Sequence, residues 1–375
     1  MHAIGQGEIV SKQGGGALYI GVFGLLLAEF SGSICQAADL ALYGVGHLSY
    51  DAIDTGVSSS DYVHSNSSRL GIKGDQDLND ALSVYVQYES GVDLTGHGMG
   101  DGNGGASSTG QIFTRARDSF LGLRSHDYGS IQFGRVGGLN QWLYDYNLFA
   151  DQVGDLGNIW GGDGLPGRLD DTVKYLGPTL YGLQLALTYV PNEGAHNHRD
   201  VVVKADYAAT PFKLGAAYAK FGGGDLGTPN LEALAVTGSF ERDWLNVGGG
   251  FQHEKNIGGR LGADRSQATI GAAVKLGTYG TLKSQYAWSG ELTGVPRSGA
   301  HQIAASAEYN AGATTIVYVA YARASNTVQT AYSAYDFGHG DQGVPPILDG
   351  KSANVFSVGL VYKFNVAIMK AINRT

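Results

Sequence analysis

Four aspartates, Asp145, Asp151, Asp155 and Asp163, lie in one segment that runs from residue 137 to residue 167. The segment has no strand or helix pattern of its own, and loops of such length are usually functional. Carboxylates held in a loop can face basic side chains across a narrow aqueous gap. The field between the two arrays orients dipolar solutes and disfavours apolar ones. Such chemistry selects solutes and breaks no bond.

Motifs of catalysis and metal binding are absent or weak. The sequence has no G-x-S-x-G serine motif, no H-E-x-x-H pair and no phosphate-binding loop. His196-Asn197-His198 lacks a third ligand, and the glycine-rich run 98–105 is one copy of a pattern that binds calcium in arrays. We therefore predict no catalytic residue, no metal site and no cofactor.

Strands must position the loop aspartates and the basic side chains that could face them. Phe356, Val358, Leu360, Tyr362 and Phe364 share one parity, which gives a strand one apolar face and one small or polar face. The same design recurs about every 10 to 15 residues from Leu40 onward, without a helical run between. Sixteen strands are predicted: Leu40–Ile53, Tyr62–Gly74, Asp80–Val92, Gln111–Ser125, Gly129–Val136, Arg168–Gly177, Tyr181–Pro191, Arg199–Ala209, Phe212–Phe221, Leu231–Glu241, Trp244–Glu254, Asp264–Leu276, Tyr279–Ser289, Gly299–Asn310, Thr314–Ala324 and Ser352–Phe364.

The connections between these strands alternate in length. Segments 126–128 and 311–313 are short, whereas 93–110, 137–167 and 325–351 are long. Outer-membrane β-barrels have tight periplasmic turns and long outer loops, and an even strand number brings both termini to one side. The pattern therefore predicts an all-β, sixteen-stranded antiparallel transmembrane β-barrel.

Composition agrees with a barrel. The 375-residue chain has 22 Tyr and 16% charged residues, against about 25% in soluble proteins. In a barrel, Tyr lies at the membrane interfaces and charge avoids the lipid face. The net charge of −9 and the lack of a basic stripe exclude nucleic acid as a partner, but permit a weak preference for cations.

The N-terminus resembles a secretory signal. An apolar stretch from Ala17 to Ala28 follows Lys12, and Cys35-Gln36-Ala37 offers a small-residue cleavage site. We expect a cleaved signal peptide over 1–37 and one barrel domain over 38–364. The alternatives are an N-terminal membrane anchor or a start codon placed ahead of a normal signal. Cys35 is the only cysteine, so the mature chain would lack disulfides.

Three stretches resemble the general trimeric porins of Gram-negative bacteria. Ser68–Gly74 resembles their second strand, Arg117–Leu123 with Tyr128–Arg135 resembles the hairpin before the constriction loop, and Val358–Phe364 resembles the final strand. The resemblance implies that the third outer loop, 137–167, folds into the lumen. Porin chains normally end at the terminal Phe, so 365–375 is expected to be an atypical periplasmic tail.

The same resemblance implies a set of site residues. Arg69, Arg117 and Arg168 match porin wall arginines, and Asn158 and Ile159 replace the Pro and Glu of the family's acidic loop segment. Alternatively, the arginines only pair with loop carboxylates and hold the loop, at about 0 to 1 kcal/mol for each exposed pair. The residues expected at the constriction are Arg69, Arg117, Arg168, Asp155, Asp163 and Trp160, with weaker pore-lining roles for Lys73, Arg115, Asp145 and Asp151.

The function expected from these observations is passive diffusion of small hydrophilic solutes and ions through the outer membrane, with a weak cation preference. The implied partners are two further copies of the chain in a homotrimer, outer-membrane lipid and lipopolysaccharide, and the barrel-assembly machinery. One alternative is an outer-membrane barrel enzyme of the lipase or protease type without a recognisable motif. Another is a soluble secreted β-protein.

Overall fold

A computed structural model describes residues 39–95, 113–192, 194, 198–224, 227–340, 344 and 346–369, with only the backbone described at 113–115. All described residues belong to one compact unit, Ala37–Thr375, which we call the second unit because the predicted signal peptide precedes it in sequence. The predicted signal peptide, the glycine-rich run 98–105, His196 and Asn197 lie outside the described residues.

The second unit is one antiparallel sheet of eighteen strand segments. The segments are β1 (Asp39–Asp54), β2 (Ser59–Ser65), β3 (Arg69–Asn79), β4 (Leu82–Val92), β5 (Phe113–Ala116), β6 (Ser119–Ser125), β7 (Gly129–Gly137), β8 (Arg168–Leu176), β9 (Leu183–Val190), β10 (Asp200–Ala209), β11 (Phe212–Phe221), β12 (Leu231–Glu241), β13 (Leu245–Lys255), β14 (Arg265–Leu276), β15 (Gly280–Ser289), β16 (Ala300–Asn310), β17 (Thr315–Asn326) and β18 (Ala353–Met369).

The sheet closes on itself, because β1 pairs with β18 from Leu40↔Met369 to Asp54↔Asn354. The segments β2 and β3 are two parts of one strand and both pair with β1. Likewise, β5 and β6 are two parts of the strand beside β4. Eighteen segments therefore make sixteen strands, and the predicted sixteen-stranded antiparallel barrel is confirmed.

The last strand is longer than its apolar pattern indicated. We predicted its end at Phe364, but β18 continues to Met369. The reason is its partner: β1 begins at Asp39, and its first residues are paired across the closure, with Leu42 opposite Val366 and Tyr43 opposite Asn365. Residues 365–369 are therefore part of the sheet.

Side chains alternate between the two faces of the barrel. In β9, Leu183, Leu185 and Leu187 are exposed on the outer face, whereas Ala186 and Thr188 are buried on the inner face. This is the alternation of a strand with lipid on one side. No helix among the described residues is long and apolar enough to cross a membrane. The helical segments there are short: Asn140–Leu143, Tyr144–Tyr146, Gly157–Trp160 and Ile257–Gly259.

Candidate functional site

The loop between β7 and β8, which we call the constriction loop (138–167), packs against the inner wall of the barrel. Its buried side chains, among them Trp142 and Trp160, form one apolar cluster with Ala217 and Ala235 of the wall. These alanines point inward, because their neighbour Tyr218 is exposed on the outer face. Small wall residues thus leave room for a loop that occupies part of the lumen.

A second outer loop also packs inside the barrel. The β17–β18 loop (327–352) buries Tyr332, Ala334 and Tyr335. The Gly154 amide donates to the Ala334 carbonyl at 2.7 Å, and the Phe337 amide donates to Asn158 Oδ1 at 2.7 Å. Sequence patterns did not indicate this second inward loop, because its apolar residues follow neither a strand nor a helix period.

Irregularities in neighbouring strands place arginines at one level of the wall. Arg69 follows the break between β2 and β3, where Ser67 has a φ of 46°. Arg117 lies in the break between β5 and β6. Arg135 lies at a register shift between Gly134 and Val136. Breaks and bulges re-aim side chains that a regular ladder would hold perpendicular to the sheet.

Each predicted wall arginine has a carboxylate partner. Arg69 Nη1 lies 2.9 Å from Asp151 Oδ2 of the constriction loop. The partners of the other two are wall residues: Arg117 Nε lies 2.6 Å from Glu89 Oε1 and Arg168 Nε lies 2.6 Å from Asp118 Oδ1. The interpretation that the arginines hold the loop thus describes one of the three pairs.

The three arginines and Asp151 form one electrostatic group. Burial opposes ionisation of Asp151, but the positive charges of Arg69 and Arg117 outweigh it and lower the pKa of that carboxyl. Arg117 and Arg168 also act on one another. Tyr144 projects from the constriction loop into this group and is 40% exposed. Acidic and basic groups therefore lie together here in direct ion pairs.

Asp155 lies inside the constriction loop and is fully buried. Its Oδ1 accepts from Asn147 Nδ2 and from the Gly157 amide, each at 2.7 Å, and its Oδ2 accepts from the Asp151 amide at 2.9 Å. Burial raises the pKa of the Asp155 carboxyl to about 7, although the Gly157 amide opposes the shift. Asp155 was expected to line the pore; it instead organises the loop from within.

Asp163 and Trp160 face the opposite wall. Asp163 Oδ1 accepts from Arg265 Nη1 of β14 at 2.8 Å, and burial raises the pKa of this carboxyl while Arg265 opposes the rise. Arg265 also donates to the hydroxyl of Tyr332. Trp160 is fully buried, and a Cβ at Gly250 would lie 2.8 Å from its ring. The Trp160 ring is therefore closed off from the lumen, whereas we expected it to line the constriction.

The weaker candidates are dispersed. Asp145 accepts from Lys204 Nζ at 2.7 Å and from Thr237 Oγ1 at 3.0 Å. Burial raises the pKa of Asp145, and Lys204 opposes this. Lys73 is exposed, with its ammonium 5.7 Å from the centre of the Tyr43 ring. Arg115 belongs to β5, and its side chain is outside the described part of the molecule.

Sequence reasoning missed most of the partners. Glu89, Asp118 and Lys204 were not selected as site residues, although Glu89 has the inward parity of its strand. The same parity test applied to every charged residue of a strand would have found Glu89 and Lys204, whereas Asp118, opposite in parity to its neighbour Arg117, is placed by the break between β5 and β6. Arg265 is harder to find, because its role depends on the two inward loops that it contacts.

An aqueous cavity of about 400 Å³ lies beside this site. Arg135 and Arg168 line it from the wall, Asn158 from the constriction loop and Phe337 from the β17–β18 loop. Arg135 pairs with Asp170 of β8. The cavity thus has charged wall residues on one side and the two packed loops on the other.

Comparison with known proteins is decisive about the family. A family model described as Gram-negative porin matches residues 24–330. The chain belongs to the Gram-negative porin family. This porin is 28% identical over 193 residues to outer membrane porin protein OmpD of Salmonella typhimurium, an alignment that covers 48% of the chain and 49% of the relative. The chain thus spans about half the length of the curated relatives it matches.

Solved structures show the same fold. An anion-selective porin from Comamonas acidovorans superposes with a TM-score of 0.72 at 21% identity, over 88% of this chain and 100% of that one. A trimer form of OmpT, an outer membrane protein of Vibrio cholerae, superposes with a TM-score of 0.61 at 15% identity, over 88% and 100%. Family and fold place the porin in the outer membrane of a Gram-negative bacterium.

Proposed function

We propose that this porin forms a water-filled channel for passive diffusion of small hydrophilic solutes and ions and catalyses no reaction. One observation carries the proposal: charged side chains of both signs, Arg135, Arg168 and Asp336, line a cavity of about 400 Å³ between the wall and the two inward loops. A pore selects by its radius, lining charge and field. The alternative of a lipase or protease barrel would need an activated nucleophile or paired carboxylates, and none was recognised in the sequence.

We propose that the channel weakly prefers cations. In three wall ion pairs the carboxylate is more than 25 percentage points more exposed than the cation: Asp118 (39%) and Arg168 (8%), Asp170 (65%) and Arg135 (15%), and Asp206 (43%) and Lys204 (8%). Water and ions therefore meet the negative member of each pair. The chain's net charge of −9 acts in the same direction.

The proposed assembly is a homotrimer in outer-membrane lipid and lipopolysaccharide, folded by the barrel-assembly machinery. Support comes from membership of the porin family and from the trimeric OmpT neighbour. Size measurement of the mildly extracted protein should give three chains in each particle. A monodisperse monomer would contradict the trimer without affecting the channel.

Planar-bilayer recording tests the channel. We expect stable unit conductance and a reversal potential on the cation side in a salt gradient. Asp118→Asn should lower the cation-to-anion permeability ratio about twofold, because Arg168 then lacks its counter-charge. Asp243→Asn is the matched control: it removes an exposed carboxylate in the β12–β13 turn. Charges are screened beyond about 8 Å at physiological salt. A barrel that inserts but does not conduct would overturn the proposed function.

A further inference from the structure

One buried cluster takes no part in the constriction. His64 of β2 and His339 of the β17–β18 loop both contact one carboxylate oxygen of Asp51, a residue of β1. His64 Nδ1 lies 2.7 Å and His339 Nε2 lies 2.8 Å from Asp51 Oδ2. All three side chains are buried, and their potential ligand atoms lie within 4.8 Å of one another.

We propose that Asp51, His64 and His339 form a binding site for a divalent transition-metal ion such as Zn²⁺, which fastens the β17–β18 loop to the barrel wall. The sequence did not predict this site, because 288 residues separate Asp51 from His339. Barrel closure and the inward path of the loop bring them together.

Charge balance supports a cation at this place. Asp51 is fully buried, and in the described part of the chain its only ion-pair partners are the two histidines. A buried carboxylate needs a counter-charge, because the loss of hydration costs several kcal/mol. A divalent ion bound by all three groups would supply two positive charges next to this carboxylate.

The donor set matches the chemistry of zinc. Zn²⁺ takes imidazole nitrogens at about 2.0–2.1 Å and carboxylate oxygens at about 2.0–2.2 Å in tetrahedral sites. Ligand atoms in such a site lie about 3.3 Å apart, so the two contacts to Asp51 would lengthen by about 0.5 Å. Ser49 Oγ, 2.9 Å from Asp51 Oδ2 and 3.4 Å from His339 Nε2, lies beside the fourth position.

Surrounding groups hold the ligands in place. Asn66 Nδ2 donates to Ser49 Oγ at 2.8 Å, and the Gly340 amide donates to Asn66 Oδ1 at 2.9 Å. Asn66 thereby ties the residue after His339 to the wall. The ring of Tyr62 stacks on His64 with centroids 5.3 Å apart and planes at 9°. Supporting contacts of this kind fix ligand orientation and raise metal affinity.

Metal binding would act on the channel through the loop. The segment that carries His339 also donates from Phe337 to Asn158 of the constriction loop. An ion that joins β1, β2 and this segment would therefore restrict movement of both inward loops. Zinc should reduce fluctuations of the open-channel current, and a chelator should restore them.

Metal content of the folded full-length barrel tests the site. The protein is stripped with EDTA, exposed to Zn²⁺ and desalted, and bound metal is counted by mass spectrometry. We expect about one zinc ion per chain, and at least tenfold weaker binding in His339→Ala and His64→Ala. His126→Ala is the matched control, because that histidine is exposed in a turn. Cobalt is a second probe, since its visible absorption reports tetrahedral coordination.

Three outcomes would overturn the site: no zinc in the wild-type barrel, equal zinc in His339→Ala, or stoichiometric Mg²⁺ binding with the same affinity. If an alanine variant does not fold, Asp51→Asn, which keeps the side-chain shape, is measured instead and must also lose zinc. Heat-modifiable mobility in gels identifies folded variants. Unit conductance is recorded in parallel, so a conducting barrel without zinc refutes only the metal site.

Discussion

Replacing Arg265 with methionine should loosen both inward loops while the barrel stays closed. Arg265 Nη1 donates to Asp163 of the constriction loop at 2.8 Å, and the same nitrogen contacts the Tyr332 hydroxyl of the β17–β18 loop. Its Nη2 lies 3.3 Å from the Ser298 carbonyl of the β15–β16 loop. Methionine keeps length and apolar packing but removes every one of these donors.

The expected magnitude follows from burial. Arg265 and Asp163 are 6% and 10% exposed, and removing one partner of a buried pair costs about 3–5 kcal/mol. Asp163 retains a donor in Gln267 Nε2 at 3.1 Å, so we take about 3 kcal/mol. Because 1.4 kcal/mol corresponds to a factor of ten, displaced loop conformations should become about 100-fold more populated.

Single-channel recording measures this change as time spent in a second conductance level and as open-channel noise. Lys213→Met is the matched control, because Lys213 and Glu241 are 64% and 37% exposed and such pairs contribute about 0–1 kcal/mol. The double variant Asp163→Asn with Arg265→Met should recover part of the loss, since it leaves no unpaired buried carboxylate. Open-channel noise in Arg265→Met equal to that of the wild type would show that Arg265 does not hold the two loops.

Two further predictions concern pH and the C-terminus. Burial raises the pKa of Asp155 to about 7 from 3.8, so the folded loop holds its proton more tightly than the unfolded chain does. Stability should therefore fall by up to about 4 kcal/mol as pH rises from about 4 to 7. Current noise should rise over that range in wild type and rise less in Asp155→Asn, in which only Asp145 and Asp163 of the loop keep a raised pKa; equal pH profiles would contradict this. Truncation after Met369 should leave the temperature of heat modification unchanged, whereas truncation after Phe364 should lower it, because Leu40–Tyr43 lose their partners in β18; equal temperatures would show that these pairs are unimportant.

The barrel was predictable because a strand with lipid on one side has a period of two, and this signal is local. Tyr181, Leu183 and Leu187 reveal their strand without knowledge of any neighbour. The end of β18 was not predictable in this way, because the pairing of Val366 and Ala367 depends on where β1 begins. Sequence periodicity shows which face of a strand is buried, but it does not show how far the strand pairs with its neighbour.

The site was less predictable than the fold. Arg69, Arg117 and Arg168 were selected by family resemblance, and the structure brings them into one electrostatic group. Their partners depend on contacts over long separations: Arg69 and Asp151 are 82 residues apart and Arg265 and Tyr332 are 67 apart. Trp160 and Asp155 are buried by packing of a loop against wall alanines, which no local pattern encodes.

The two inward loops also couple the narrow region to closure of the barrel. Their contact between Asn158 and Phe337 spans 179 residues, and Phe337 precedes only the final strand, which must itself pair with β1 to close the sheet. The constriction loop can pack on Ala217 and Ala235 without that strand, but its contacts with the β17–β18 loop require both ends of that loop to be in place. A chain that lacks β18 would therefore keep an open sheet edge and only part of its narrow region.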